Sequence, residues 1–113
     1  IFSSWEQVNV PCTNLDELLL QNLLSDKNCK RILLKVDVEG YELKVIKGAF
    51  KIIKKFSPII LVEGRPEEEY IKLIKDNLPK NYLVKTASSF LYNSINPKID
   101  TDLVCIPIKK NIV

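Results

Sequence analysis

A chain of 113 residues, 46% hydrophobic and 27% charged, fits a single globular domain and excludes a disordered or low-complexity polypeptide. Its net charge of +3, from 17 basic and 14 acidic residues, is spread along the sequence and lacks the stripe of arginines and aromatics that a nucleic-acid partner requires. No apolar run approaches the roughly 20 residues of a membrane span, and three cysteines without C-x-x-C spacing or any histidine argue against a disulfide framework or a zinc site, so the chain reads as reduced and cytoplasmic.

In chain order, Val8 and Val10 alternate with polar neighbours in a short extended piece, and Thr13 with Asp16 forms a T-x-x-D capping signal for a helix. Leu15, Leu18, Leu19 and Leu23 recur in that helix at helical spacing. A polar connection from Asn28 to Arg31 leads to Ile32–Val36, followed by Asp37. This run of branched apolar residues without alternation is expected to be a central strand covered on both faces. From Tyr41 to Lys54 the apolar positions Leu43, Ile46, Phe50 and Ile53 predict one amphipathic helix, with Lys44, Lys47, Lys51 and Lys54 on its outer face.

Pro58–Glu63 repeats the buried-strand signature and Gly64–Arg65 ends it. Pro66 and the acidic run Glu67–Glu69 suit a helix start, with Tyr70, Ile71, Ile74 and Leu78 as its apolar stripe and Pro79 as its stop. Tyr82–Ala87 and Asp102–Ile108 read as two further strands around a long turn or loop at Ser88–Thr101, with Pro107 at a strand end or on an edge. The alternation is that of an open α/β sheet, mostly parallel with an antiparallel last strand.

Ligands of such sheets sit outside the carboxyl ends of the strands. Those ends carry Asp37-Val38-Glu39-Gly40-Tyr41-Glu42 and Glu63-Gly64-Arg65. If the strand persists, Asp37 and Glu39, two apart, point the same way into the crevice, where carboxylates can take a hydroxyl proton, bind a divalent cation or hold a cationic ligand. The bland alternative makes all of them capping and solvent-facing groups. It is preferred for Glu42 but not for Asp37 and Glu39, because a buried-type strand ending in two carboxylates needs a reason. For Glu63 the two readings are evenly balanced. Trp5 and Tyr41 are candidates to line a cleft, although single aromatics are more often packing residues, and Cys29 and Cys105 read as small apolar residues.

Leu33–Ala49, followed by Pro58–Glu63, resembles the hallmark block of FkbM-type methyltransferases: L-K-x-D-x-E-G-x-E, a helix with L-x-G-A (Ile46 standing for the leucine), then P-x-I-x-x-E. Val10-Pro11 and Thr13–Leu18 resemble the segment that precedes it. The resemblance implies a Rossmann-like sheet of seven strands in all, and S-adenosylmethionine-dependent transfer of a methyl group to a hydroxyl of a small molecule or glycan. Residues 1–113 would then be a partial domain, supplying the C-terminal half of that sheet. It further implies that Asp37 lies near both cofactor and acceptor and positions or deprotonates the acceptor oxygen. Glu39 would support it or hold ligand, and Glu63 and Tyr41 would contact substrate.

The family's glycine-rich cofactor turn is absent: the chain has three glycines, Gly40, Gly48 and Gly64, and no G-x-G. Together with the start at Ile1 and the lack of methionine, this reads as a piece cut from something longer, inactive alone and open to self-association through the edge of strand 32–36. Two other readings stay open at this point. One is a non-catalytic α/β binding module. The other, weaker, is a divalent-metal site built from Asp37, Glu39 and Glu63.

Overall fold

Branched apolar residues form the first two strands, β1 (Leu33–Val36) and β2 (Ile59–Glu63), which pair in parallel with Val36 abreast of Val62. In a computed structural model, residues 5–25, 31–64, 67–92 and 102–108 are described. Two more strands, β3 (Tyr82–Thr86) and β4 (Asp102–Pro107), complete a sheet of order β1-β2-β4-β3. The last strand of the chain is thus inserted between β2 and β3, antiparallel to both. β1, β2 and β3 therefore run in one direction with β4 opposed, the arrangement expected from the sequence. Pro107 falls at the end of β4, opposite Tyr82, where a missing N–H costs least.

Helix α1 (Leu15–Ser25) precedes β1, α2 (Glu42–Gly48) and α3 (Phe50–Phe56) link β1 to β2, α4 (Glu68–Asp76) links β2 to β3, and α5 (Ala87–Tyr92) follows β3. One face of the sheet, Val36, Ile60, Val62, Tyr82, Val84, Leu103 and Cys105, packs against Ile46, Ala49 and Ile53 of the α2–α3 segment and against Ile74 and Leu78 from α4 and the turn after it. The Tyr82 hydroxyl donates to the Pro58 carbonyl at 2.6 Å inside this core, tying β3 to the entry of β2. Burial pushes the Tyr82 hydroxyl far above its ordinary pKa and the Cys105 thiol up to about 12.

Several expectations are corrected. The single helix from Tyr41 to Lys54 is two helices broken at Ala49, and Phe50 is exposed while Ile52 is buried. The cause lies far away in sequence. At Gly48 a Cβ would come within 2.8 Å of the Asn14 Cβ, so α1 presses there. Both Asp16 carboxylate oxygens accept the first free amides of α3, those of Lys51 and Ile52, at 3.0 Å each. An acid at a helix N-terminus starts a new helix more readily than it continues an old one. The N-cap of α1 is accordingly Asn14, whose side-chain oxygen accepts the Glu17 amide at 2.8 Å, while Thr13 instead donates to the Glu17 carboxylate.

β1 is an edge strand rather than a central one among the described residues: Leu33 is exposed, Leu34 half-buried, and only Val36 buried. No strand includes Val8 or Val10, both exposed. The expected loop at 88–101 begins instead with α5, started by Thr86, whose hydroxyl accepts the Ser89 amide at 3.1 Å. Readings placed on Asn28, Cys29, Arg65, Pro66, the Leu23 side chain and residues 93–101 lie outside the described residues. Among the described residues, no helix is long and apolar enough to cross a membrane.

Candidate active site

The parallel register of β1 and β2 and the antiparallel register of β2 and β4 bring three acids to one rim. Asp37 follows Val36, Glu63 closes β2, and Asp102 pairs directly with Glu63. The register places the Asp37 and Glu63 carboxyls side by side at these strand ends. The neighbouring Asp37, through hydrogen bonding and charge, then desolvation and the charges of Asp102 and Glu39, hold the Glu63 carboxyl above its ordinary pKa of 4.5.

A hollow of about 320 Å³ opens beside this rim, lined by Gly40, Glu42, Glu63, Gly64, Glu67 and Tyr70. Its far wall exists because residue 64 is glycine, since a Cβ there would run into the Tyr70 ring. The Tyr70 hydroxyl is buried with no hydrogen-bond partner among the described residues, and burial together with the Glu42 charge raises its pKa.

Asp37 and Glu63 are therefore brought together, as strand-end reasoning required. The strand does not persist to give Asp37 and Glu39 a common direction, because β1 stops at Val36 and Glu39 sits in a turn with φ of 35°. Both acids are exposed and neither lines the hollow, although Glu39 acts on Glu63 through its charge. Tyr41 takes the N-cap position of α2 with an exposed ring under the Lys44 ammonium, 5.1 Å from its centroid, and is not a lining residue. Trp5 is almost wholly exposed. Among the described residues, no group of three Cys, Asp or Glu side chains is placed to hold a metal ion.

Sequence reasoning missed Gly64, Glu67, Tyr70 and Asp102, and it gave Glu42 to solvent. Glu42 is buried, 7% exposed, and both its oxygens accept the Gly40 amide, at 3.2 and 3.0 Å. The only sequence signal was its two-residue distance from Gly40, which does not separate a bracketing acid from an ordinary first-turn one.

The rim suits a positively charged or hydroxyl-bearing group, since its side chains Asp37, Glu63 and Asp102 are carboxyls. The glycines fit no nucleoside cradle. Contact with Asn14 or Tyr70 fills the space of the missing Cβ at Gly48 and Gly64, and Gly40 serves a turn with φ of 93°.

No curated protein and no solved structure matches the chain. The family model of the Methyltransferase FkbM domain matches residues 3–90, from before α1 into α5, and so takes in both Asp37 and Glu63. With more than half of its length inside that match, the chain belongs to the FkbM methyltransferase domain family.

Proposed function

We propose that this chain supplies the acceptor side of an S-adenosylmethionine-dependent O-methyltransferase of the cytoplasm, acting on a hydroxyl of a small molecule or glycan. The observation that carries the reading is the placing of Asp37 beside Glu63 at the strand ends, next to a hollow of about 320 Å³ that Glu63 lines. Family membership supports the transfer of a methyl group. When bound, S-adenosylmethionine supplies that group on a positively charged sulfur.

The residues of this chain would do the rest. A hydroxyl is a poor nucleophile until a base takes its proton, and a carboxylate within hydrogen-bond reach performs that task. Asp37 is assigned to orient the acceptor hydroxyl and receive its proton. Glu63 forms the pocket wall, its carboxyl held above its ordinary pKa by the Asp37 beside it. Glu39 adds to the negative potential, which favours the positive sulfur and repels anionic acceptors. Tyr41 is retained as an outer substrate contact on the strength of its exposed ring.

The four strands are read as the C-terminal part of a larger Rossmann-like sheet, with three further strands continuing from the open edge of β1. Where those strands are lacking, the same edge favours self-association. Because its three glycines form no G-x-G turn, the chain needs a cofactor-gripping segment to turn over.

The test is transfer of labelled methyl from S-adenosylmethionine, using the protein together with whatever chain flanks it in its natural product. Label should enter hydroxyl-bearing acceptors and spare their deoxy analogues. Label confined to amines or thiols, or no transfer at all, would contradict the proposal.

A further inference from the structure

Between β1 and α2 the backbone takes two successive left-handed residues, Glu39 with φ of 35° and Gly40 with φ of 93°. Glycine adopts this freely, but glutamate does so at a cost. Surroundings must hold such a residue in place. The holding contact is visible one turn on, where both Glu42 oxygens accept the Gly40 amide at 3.2 and 3.0 Å.

Glu42 is also the only buried acid among the described residues. A carboxylate taken from water is expensive unless its contacts return the loss. Its place in the first turn of α2, near the positive end of the helix dipole, returns part of it. Its charge is not among those acting on Glu63, which come from Asp37 and Glu39 in the β1–α2 connection and from Asp102 on β4. The link from Glu42 to the β1–α2 connection is the Gly40 amide that it holds.

We propose that Glu42 is a positioning residue whose carboxylate brackets the Gly40 amide, fixes the left-handed Glu39–Gly40 turn, and thereby carries Asp37 against Glu63. The proposal concerns the site of the preceding section, but its test reads the geometry of that site and not methyl transfer.

The measurement is a carbon-13 NMR titration of the Glu63 carboxyl in the 113-residue chain, beside hydrogen exchange at the Gly40 amide. In the wild type Glu63 should titrate above 4.5 and the Gly40 amide should be protected. In Glu42→Ala the amide should exchange freely and Glu63 should return most of the way to its ordinary value. Glu42→Gln keeps an acceptor oxygen without the charge and should preserve both wild-type signatures.

Gly40→Ala meets no atom within 4 Å but opposes the positive φ, so it should relax Glu63 with the Glu42 carboxylate untouched. That variant decides the matter if Glu42→Ala does not fold. A folded Glu42→Ala with an unchanged Glu63 titration, a Gly40→Ala with the same, or a Glu42→Gln that loses the shift would each overturn the proposal. Confirmation of these shifts, with no methyl transfer by the natural product that carries the flanking chain, would sink the enzymatic reading and leave this one standing.

Discussion

Asp37 and Glu63 stand side by side at the ends of two neighbouring parallel strands. Neither residue could be placed there by its own strand alone. The register that sets Val36 beside Val62 makes them neighbours, and Asp37 at that spacing raises the Glu63 pKa.

Glu63→Gln should change the pH dependence of stability. The folded-state pKa of Glu63 is raised above its ordinary 4.5, so the fold binds this proton more tightly than the unfolded chain does. That contribution is fully present below the unfolded pKa and is lost as pH rises through the folded one. The substituted protein has no such loss. Thermal melts should therefore show Glu63→Gln gaining on the wild type as pH rises from 4.5 through the raised folded-state pKa. Parallel curves for the two proteins would mean that Glu63 is not proton-coupled to Asp37.

Two tyrosines should respond oppositely to loss of their hydroxyls. Tyr82→Phe strands the buried Pro58 carbonyl, which now accepts at 2.6 Å, and should cost about 1–2 kcal/mol in denaturant unfolding. Tyr70→Phe removes a buried hydroxyl that has no partner among the described residues, and should be neutral within about 0.5 kcal/mol or stabilising. A large loss at Tyr70 would show that its hydroxyl is engaged.

Asp16→Ala should unseat α1 from α3. Its carboxylate accepts the Lys51 and Ile52 amides, each at 3.0 Å, and loss of such a cap costs about 0.5–2 kcal/mol. Amide exchange should accelerate at Lys51 and Ile52 first, with the core strands less affected. Uniform acceleration throughout the chain would instead mark Asp16 as a determinant of global stability only.

What the sequence made legible follows from the range of the interactions concerned. β2 and β4 were readable because branched apolar runs report burial locally, and the acids at the strand ends follow from where a parallel sheet keeps its open rim. The break at Ala49 was not readable from residues 41–54, whose period continues across it. It depends on Asn14 and Asp16, about 35 residues upstream of their partners. The short α5 was hidden for a related reason, since six residues, Ala87–Tyr92, are too few to show a helical period and the helix starts from the Thr86 cap. Strand β1 looked central because its composition suits two covered faces, whereas the described sheet leaves Leu33 exposed.

Glu42 shows the limit most sharply. First-turn glutamates are ordinarily solvated, and only the turn geometry of Glu39 and Gly40 aims an amide at this one. Tyr70 and Gly64 meet across five intervening residues, with no pattern that announces a ring against a backbone.

The central claim is that Asp37 handles the acceptor proton. Steady-state turnover and S-adenosylmethionine affinity should be measured for Asp37→Asn in the enzyme that carries its cofactor-gripping segment. Loss of a general base should lower turnover about 10²–10⁴-fold, with the cofactor dissociation constant changed by less than about threefold. Turnover equal to the wild type would contradict the claim and take Asp37 out of the chemistry.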